Sequence, residues 1–339
     1  MKKSILVTGG AGFIGGHLIC TLLEKYKDYH ILNIDKLTYA GNLNHLESIT
    51  NFPNYTFVQG DVTDNELVRS LFNTYKFFWV IHLAAESHVG SSIHDPASFV
   101  KTNLEGTFVL LDAAYKHWFT GPGQVKEDYQ LSRFLHVSTD EVYGMLGNKE
   151  LFTEATPYAP NNPYSATKAG SDLLVRSYVH TYGLDAVITH ATNNYGTYQH
   201  KEKLIPTIIT KALAGEAIPI DGNGSAIRDW LYVGDHCNAL DLVLHNGTKG
   251  EHYNIGANNE LSNLHVATTI CKLLDKLAPL SQQRSYQSLI TFVADRPGQD
   301  KRYAVDASKV KRELGWVSAT PFEVGLQATV EWYLKEIIG

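Results

Sequence analysis

The chain has 339 residues, which is enough for one large domain or two smaller ones with a sizeable buried core. Apolar residues make up 44% and charged residues 19% of the sequence, a globular composition that excludes a disordered chain. The formal net charge of −6 excludes a general attraction to nucleic acid or to an anionic membrane. Any positive charge that meets an anionic ligand must therefore be local.

Cysteine usage and hydropathy narrow the class of protein further. Cys20, Cys237 and Cys271 are far apart and form no cluster that predicts disulfides or a metal site. This pattern is typical of a reducing compartment, so we expect a cytoplasmic protein. The apolar run at residues 77–83 is far shorter than the roughly 20 residues that span a bilayer, and the run at 5–7 is too short for a secretion signal.

The first part of the chain alternates between predicted strands and predicted helices. Apolar runs predict strands at 5–7, 30–34, 55–58, 78–83, 134–137 and 186–189. The helical segments between them include 97–117 and 164–182. This alternation predicts parallel βαβ units in a Rossmann-like, doubly wound α/β sheet. We predict a first domain over residues 1–192 and a smaller mixed α/β domain over 193–339, with some of its segments returning to the first.

A glycine-rich turn follows the first predicted strand. Gly9, Gly12 and Gly15 form the pattern GxxGxxG, which provides a tight turn, close backbone approach to pyrophosphate and the free N–H groups of a helix. Asp35 ends the second strand 20 residues after Gly15, the place of a ribose-hydroxyl acceptor. Its carboxylate would repel the 2′-phosphate of NADP. The sequence therefore predicts that the chain binds NAD.

The next two strands end in residues with two interpretations each. Asp61 follows the third strand and either accepts from the adenine amino group or caps a turn. Leu83, Ala84 and Ala85 end the fourth strand, where small side chains allow either a flat cofactor or tight helix–strand packing. These patterns leave both interpretations open.

A tyrosine and a lysine share one face of the predicted helix at 164–182. Asn162 is a suitable N-cap for this helix and Pro163 a suitable first-turn residue. Tyr164 and Lys168 are four positions apart, so an ammonium and a helix N-terminus would both lower the pKa of the phenol. Behind a dinucleotide-binding turn, the pair predicts removal of a proton from a sugar hydroxyl while hydride leaves the same carbon.

The fifth strand runs into Thr139, Asp140 and Glu141, which places a hydroxyl and two carboxylates at the expected cleft. Neighbouring carboxylates in different environments can act as acid and base. The alternative is a solvated acidic turn that Gly144 closes. Beside a hydride-transfer site, an acid and a base favour a reaction beyond alcohol oxidation, such as elimination of water.

Five motifs identify a family resemblance. They are STDEVYG at 138–144, NNYG at 193–196, KLIP at 203–206, RDWLYV at 228–233 and DRPG at 295–298. With the glycine turn and Tyr164–Lys168, the chain resembles the extended short-chain dehydrogenases/reductases over essentially its full length. Within that superfamily it resembles the dTDP-glucose 4,6-dehydratases, because 4-epimerases lack the acidic pair.

The resemblance implies a lyase reaction with tightly bound NAD that is regenerated in each turnover. Tyr164 would take the proton of the sugar 4-hydroxyl while hydride passes from carbon 4 to NAD. Glu141 would then remove the proton on carbon 5, and Asp140 would protonate the departing 6-hydroxyl before hydride returns to carbon 6. Thr139 would hydrogen-bond the 4-oxygen, and Lys168 would hold the nicotinamide ribose.

The resemblance also implies the contacts of the two ligands. The implied cofactor contacts are Gly9, Gly12, Phe13, Ile14, Gly15, Asp35, Lys36, Leu37, Thr38, Asp61, Val62, Leu83, Ala84, Ala85, Ser87, Thr102, Tyr164, Lys168 and Asn194. The implied substrate contacts are Ser87, Thr139, Asn193, Lys203, Leu204, Pro219, Ile220, Asp221, Arg228, Asn263, Asp295 and Arg296. Among these, Lys203, Arg228 and Arg296 would meet a diphosphate.

The alternative function is that of a nucleotide-sugar 4-epimerase or a simple oxidoreductase that uses only Tyr164, Lys168 and NAD. Gly90, Ser91, Asp221 and Gln299 depart from the family pattern, so the nucleotide base stays open. A homodimer is the expected assembly, since relatives pack together helices such as the apolar segments 104–118 and 164–182. The expected partner is a nucleotide-diphosphate sugar, with no nucleic acid and no membrane.

Overall fold

Seven parallel strands form the central sheet. The computed structural model describes residues 3–147, 149–280, 284–295 and 300–338. Its strands are β1 (Lys3–Thr8), β2 (Tyr29–Asp35), β3 (Tyr55–Gln59), β4 (Trp79–His82), β5 (Phe119–Gly121), β6 (Gln124–Val125), β7 (Arg133–Thr139), β8 (Ala186–Ala191), β9 (Asn193–Tyr195), β10 (Ile218–Asp221), β11 (Ile227–Tyr232), β12 (His252–Ile255), β13 (Glu260–Ser262) and β14 (Ile290–Val293). Its helices are α1 (Phe13–Lys25), α2 (Asn65–Tyr75), α3 (Val89–His94), α4 (Pro96–Phe99), α5 (Gly106–Trp118), α6 (Pro163–Tyr182), α7 (Leu204–Leu213), α8 (Val233–Asn246), α9 (Asn263–Leu277), α10 (Ser308–Leu314) and α11 (Phe322–Ile338).

The order of the strands confirms the predicted doubly wound fold. The sheet reads β12–β8–β7–β4–β1–β2–β3, and each neighbouring pair is parallel. The chain winds outward from β1 through β2 and β3, then returns to β4 on the other side and winds outward again. The direction reverses between β1 and β4. In sheets of this kind, ligands bind beyond the carboxyl ends of the strands at such a reversal.

Helices cover both faces of the sheet because each face is apolar. Leu18 and Leu22 of α1 pack with Leu240 of α8 in one buried cluster. On the opposite face, Phe72 of α2 and Leu110 of α5 belong to a second cluster, with α6 beside them. Burial on both sides explains why the strands read as continuous apolar runs in the sequence.

The chain after β8 builds a smaller mixed layer with its own core. A three-stranded sheet, β13–β11–β9, and the pair β10–β14 pack with α7, α9 and α11. One segment returns to the large sheet, because β12 pairs with β8 with Ile255 opposite Ala191. Within the described part of the chain, no helix is long and apolar enough to cross a membrane.

The helix predicted at 97–117 is present and contains a π-helical segment. The structure has α4, then a π-helical segment at Val100–Glu105, and then α5. The wider segment carries the buried side chain of Asn103, whose Oδ1 accepts from the N–H of Glu86 at 2.9 Å and whose Nδ2 donates to the carbonyl of the same residue at 3.1 Å. The π-helical segment therefore satisfies buried backbone groups after β4, and it places Thr102 on the central cavity.

Candidate active site

A cavity of about 330 Å³ lies at the carboxyl ends of β1, β2, β4, β7 and β8. Segments from both halves of the chain form its wall. The predicted site residues that line it are Gly9, Gly12, Phe13, Ile14, Gly15, Asp35, Lys36, Thr38, Asp61, Val62, Leu83, Ala84, Ala85, Ser87, Thr102, Thr139, Asp140, Glu141, Tyr164, Lys168, Asn193, Asn194 and Lys203. The tertiary structure thus brings the glycine turn, the tyrosine–lysine pair and the acidic pair to one space.

The glycine turn leaves backbone groups open towards this cavity. Gly9 has φ +71°, and a Cβ atom there would lie 2.7 Å from the backbone nitrogen of Ala84. A side chain at this position would strain the backbone and separate β1 from the segment after β4. Helix α1 begins directly afterwards, with Gly12 as an N-cap that offers no side-chain acceptor. The first N–H groups of α1 are therefore oriented for an anion.

The carboxylates after β2 and β3 are held in place by the backbone and by one cation. Asp35 accepts from the N–H of Ala11 at 2.9 Å and from that of Leu37 at 2.8 Å. Burial raises the pKa of the Asp35 carboxyl, and these two bonds oppose the rise. Asp61 accepts from the N–H of Thr63 at 3.0 Å and pairs with Lys36 at 2.8 Å. Asp61 therefore caps a turn and also lines the cavity, so the contact with an adenine amino group stays a prediction.

Leu37 is a predicted cofactor contact that does not line the cavity. Its φ of +57° turns the chain away after β2, and its N–H is taken up by Asp35. Because Asp35 needs that donor, the residue contributes to the site through its backbone and not through its side chain.

Helix α6 presents Tyr164 and Lys168 to the cavity. Asn162 accepts from the N–H of Ser165 at 2.9 Å, which confirms the predicted N-cap. The Nζ of Lys168 donates to the carbonyl of Val137 in β7 at 2.8 Å. The capped start of the helix and the contact with β7 fix the position of Tyr164 and Lys168 relative to the sheet.

The pKa of Tyr164 is not lowered as the sequence predicted. Burial raises it, the Glu141 carboxylate raises it further, and a hydrogen bond with Thr139 opposes both. Burial also lowers the pKa of Lys168 to about 8, although the nearby charge of Asp172 acts to raise it. The prediction was wrong because loss of water around both groups outweighs the attraction expected between them.

The two acidic side chains after β7 meet different charges. Asp140 is buried, and its Oδ2 has no hydrogen-bond partner among the residues that the structure describes. Burial and then the neighbouring Glu141 hold the pKa of the Asp140 carboxyl well above its usual range. Burial also raises the pKa of Glu141, but Arg228 and Lys203 lower it. The geometry therefore favours a protonated Asp140 beside a Glu141 that faces cations.

Part of the predicted substrate set lies away from this cavity. The residues concerned are Leu204, Pro219, Ile220, Asp221, Arg228, Asn263 and Asp295. Arg228 donates to the carbonyl of Asp300 at 2.8 Å, and its guanidinium lies 4.4 Å from the ring centre of Tyr303. It reaches the site through its charge on Glu141. The predicted contact Arg296 and the family departure Gln299 lie outside the described residues.

Several of these residues lie together in the C-terminal layer. Asp221 ends β10 opposite Val293 of β14, and the Asp295 carboxylate is within 2.7 Å of where a Cβ atom of Gly222 would lie. The Oδ1 of Asn263, at the start of α9, is buried without a hydrogen-bond partner among the described residues. This second group is polar and beyond the cavity, on the side of the smaller layer.

The cavity also has walls that the motifs did not reveal. These residues are Ile34, Ala40, Gly41, Gly60, Val137, Ala191, Thr192, Gln199, His200, Glu202 and His236. The Nδ1 of His236 lies 2.9 Å from Oδ1 of Asn194, and its Nε2 is buried without a partner among the described residues. A lone histidine on a helix gives no local signal.

Comparison with known sequences finds close relatives along the whole chain. A sequence model of the GDP-mannose 4,6 dehydratase family matches residues 6–329. A dTDP-glucose 4,6-dehydratase from Xanthomonas campestris pv. campestris (strain B100) is 51% identical over 97% of this chain and 92% of that protein. Another from Neisseria gonorrhoeae is 51% identical over 98% of this chain and 96% of that protein.

Solved structures share the fold. The crystal structure of DesIV, a dTDP-glucose 4,6-dehydratase from Streptomyces venezuelae with NAD and TYD bound, matches with a TM-score of 0.87 and 42% identity. The match covers 98% of this chain and 97% of that one. A UDP-glucose 4-epimerase from Thermotoga maritima with UDP-glucose matches with a TM-score of 0.84 and 28% identity, over 98% and 99% of the two chains. The fold is common to both activities, whereas sequence identity is higher to the dehydratase.

Proposed function

Because this chain belongs to the GDP-mannose 4,6 dehydratase family and its relatives at 51% identity are dTDP-glucose 4,6-dehydratases, we propose that it is an NAD-dependent hydro-lyase. The proposed reaction converts dTDP-glucose into its 4-keto-6-deoxy form and water. One observation carries the proposal: Thr139, Asp140 and Glu141 line the same cavity as Tyr164, Lys168 and the glycine turn. A 4-epimerase or a simple oxidoreductase has no use for that acidic pair.

The residues present fit NAD. The space in front of Gly9 and the uncapped start of α1 suit a pyrophosphate, and Asp35 presents a carboxylate at the end of β2. The unpaired Nε2 of buried His236 offers a further polar contact on the cavity wall. Bound there, NAD would supply the acceptor for hydride from carbon 4 of the sugar and the donor for its return to carbon 6.

Tyr164 and Lys168 are proposed to handle the proton of the 4-hydroxyl. Tyr164 would take this proton, with Thr139 hydrogen-bonded at the same oxygen. The phenol needs a nearby positive charge to give up its own proton first, since burial and Glu141 raise its pKa. The Lys168 ammonium, which lines the same cavity and donates to the carbonyl of Val137, would supply it.

Glu141 and Asp140 are proposed to carry out the elimination. Glu141 would take the proton from carbon 5 and give it back there at the end, because Arg228 and Lys203 favour its charged form. Asp140 would give its proton to the departing 6-hydroxyl, which leaves as water, because its environment favours the protonated form. The proton taken by Tyr164 balances the one that Asp140 gives.

The diphosphate of the substrate is proposed to meet the local positive charge that an acidic protein needs. Lys203 lines the cavity, and its Nζ donates to the carbonyl of Ser87 at 3.0 Å. Arg228 lies behind Glu141, and its charge reaches the acidic pair. The nucleoside would then extend towards Asp221, at the end of β10, and towards the unpartnered Oδ1 of Asn263 in the smaller layer.

A homodimer in the cytoplasm completes the proposal. Helices α5 and α6 pack together and leave the apolar side chains of Phe108 and Leu173 about half exposed, at 47% and 56%. A second copy would cover them. The three cysteines are free thiols, as expected in a reducing compartment.

The test is incubation of the purified protein with dTDP-glucose without added NAD, with the 4-keto-6-deoxy product followed by its absorbance in alkali. Product formation supports both the lyase reaction and a retained cofactor. Product that forms only after NAD is added keeps the reaction and contradicts the retained cofactor. A 4-epimer in place of the keto sugar would support the epimerase alternative. Lack of product from dTDP-, UDP-, CDP- and GDP-glucose with added NAD would overturn the proposal.

A further inference from the structure

A third charged residue continues the face of α6 that carries Tyr164 and Lys168. Asp172 is four positions beyond Lys168 and eight beyond Tyr164, so the three side chains follow one another along the helix. Only 1% of the Asp172 residue is exposed to solvent. A buried carboxylate is costly unless charges and donors surround it. The family motifs that identify the site do not include this position.

Three side chains of β7 and β8 lie next to the Asp172 carboxylate, two at Oδ2 and one near Oδ1, which has no hydrogen-bond partner among the described residues. The Oγ of Ser138 donates to Oδ2 at 2.9 Å, and the Nε2 of His190 lies 3.0 Å from the same oxygen. The Nε2 of His136 lies 3.1 Å from Oδ1. Burial opposes ionisation, but the contacts with the two histidines outweigh it and hold the pKa of the Asp172 carboxyl well below its usual range. Asp172 is therefore a permanent negative charge inside the protein.

Strand β7 contacts both Lys168 and Asp172. The carbonyl of Val137 in β7 accepts from Lys168, and the hydroxyl of Ser138, the following residue, donates to Asp172. The strand then reaches Thr139, which hydrogen-bonds Tyr164. Three successive residues of β7 thus position three side chains of α6. This arrangement holds Asp172 one helical turn beyond Lys168 on the same face of α6, with both side chains fixed against β7.

We propose that Asp172 is a positioning residue for the reaction: a buried counter-charge that keeps Lys168 protonated next to Tyr164. The proposal rests on the proposed function for the role of Lys168. Lys168 is 4% exposed, so water does little to stabilise its ammonium. Among the described residues, Asp172 is the carboxylate whose charge opposes the effect of this burial. A neutral Lys168 would leave the buried phenol of Tyr164 without a cation.

Other charged and titratable groups face the same region and are part of the expected response. Besides Lys168 and Tyr164 they are His82 of β4, His136 of β7, His190 of β8, Tyr143 and Tyr158 from the segment between β7 and α6, Arg176 of α6, Glu154, and His252 of β12. Of these, Lys168 is the group whose protonation the proposal concerns. Its titration is therefore the readout to follow.

The test is D172N, which keeps the shape of the side chain and removes its charge. Loss of this negative charge removes the effect that opposes burial and should lower the pKa of Lys168, by roughly one unit for neighbouring charges. We expect the basic limb of the kcat–pH profile to move about one pH unit lower. At pH 8 we expect kcat to fall about 5-fold, and at pH 9 about 10-fold, while KM stays within about twofold. A purely structural residue would not move the limb.

A second readout does not depend on turnover. Acetic anhydride acetylates only the neutral amine, so the modification of Lys168, followed by peptide mass spectrometry across pH, reports its titration. The midpoint should lie lower in D172N than in the unsubstituted protein. If no nucleotide sugar is turned over, the proposed function fails, and this midpoint still decides the role of Asp172.

The matched control is D241N. Asp241 is also buried, with its side chain 3% exposed, and it is held by Lys25 at 2.5 Å and by Tyr26 at 3.1 Å on the opposite face of the sheet. This variant should lower Tm without moving the basic limb or the acetylation midpoint. The proposal is overturned if D172N folds and keeps both values, or if D241N shifts them equally. If D172N does not fold, D172E takes its place: it keeps the charge, and a folded D172E with a lowered limb would contradict the proposal.

Discussion

At the scale of single residues, the adjacent carboxyls of Asp140 and Glu141 differ in the charges that they meet. The charges that act most strongly on Glu141 are the cations Arg228 and Lys203. For Asp140, the carboxylates of Glu141 and Asp229 have larger effects than Arg228. Burial raises the pKa of both groups, so the surrounding charges decide which one holds a proton more firmly. This asymmetry assigns acid and base without reference to their order in the chain.

Substitution of Glu141 tests the proposed base directly. E141Q keeps the volume of the side chain but cannot accept a proton from carbon 5. We expect kcat for dTDP-glucose to fall at least about 1,000-fold, within the range attributed to general base catalysis, while NAD stays bound. The absorbance of the product in alkali gives kcat, and the NAD content after denaturation shows whether the cofactor stays bound.

The control for this substitution is E66Q, since Glu66 is exposed in the first turn of α2 and far from the cavity. E66Q should retain full activity. Full activity of E141Q would remove Glu141 from the mechanism.

Sequence spacing was sufficient for the tyrosine–lysine pair but not for its electrostatics. Four positions on a helix place Tyr164 and Lys168 on one face in any environment. The sequence does not show that both lie beneath other elements, and burial reverses the expected direction of the phenol pKa. Asp172 gave no signal either, because its partners His136 and His190 are 36 and 18 residues away in the chain.

At the scale of elements, the glycine turn joins β1, α1 and the segment after β4. Gly9 combines a positive φ with close approach to Ala84, so its lack of a side chain is needed twice. Gly215, at φ +70° after α7, has no neighbour within 4 Å of the place where a Cβ atom would lie, and it needs its conformation only. Substitution of Gly215 therefore tests backbone strain alone, whereas substitution of Gly9 tests strain together with a steric clash.

We expect G9A to release NAD and to lower the free energy of unfolding by about 2–4 kcal/mol, since strain of about 1–3 kcal/mol adds to a steric displacement. Chemical denaturation and NAD content measure these effects. G215A should cost only about 1 kcal/mol and leave NAD bound. Equal losses in the two variants would contradict a special role for the contact with Ala84.

The π-helical segment between α4 and α5 illustrates what periodicity misses. The apolar spacing over 97–117 fits a continuous helix, and it contains no proline or glycine pair that predicts a break. The π-helical segment exists because Asn103 reaches the backbone of Glu86, a contact between distant parts of the chain. Local sequence cannot report a backbone group that needs a partner elsewhere.

At the scale of the whole molecule, the exposed apolar side chains on α5 and α6 predict self-association. F108E places a charge where Phe108 would meet a second copy, and 47% of this residue is exposed in one chain. We expect the variant to shift from dimer to monomer at micromolar concentration, because an unpaired charge in an apolar interface costs several kcal/mol. Size-exclusion chromatography with light scattering measures the mass.

The matched control for F108E is V324E on α11, since Val324 is also exposed, at 61%, but lies in the smaller layer. V324E should leave the mass unchanged. A monomeric unsubstituted protein would contradict the proposed dimer.

Buried neutral histidines predict a loss of stability in mild acid. Burial lowers the pKa of His136 to about 4 and that of His236 to about 3, with His45 and His252 lowered similarly. Below the unfolded pKa of about 6.5, histidines of the unfolded chain bind protons that the buried histidines of the folded protein do not bind. The free energy of unfolding therefore decreases as the pH is lowered. Each such proton contributes about 1.4 kcal/mol per pH unit.

The raised pKa values of Asp140 and Glu141 act in the opposite sense and reduce this slope. We expect a net loss of about 1–3 kcal/mol in the free energy of unfolding between pH 6 and pH 5, measured by chemical denaturation. H45Q should have a smaller slope. Stability that is constant over this range would contradict the neutral, buried histidines.

The sequence by itself determined the alternating strands and helices, the glycine turn, Asp35 and the helix with Tyr164 and Lys168. These features follow from local spacing: apolar runs for buried strands, glycine where no side chain fits, and a helical period of four. The tertiary structure alone decided which distant groups meet, such as Arg228 behind Glu141 and two histidines around Asp172. It also decided the protonation tendencies, because burial depends on all the elements packed around a group and not on its neighbours in the chain.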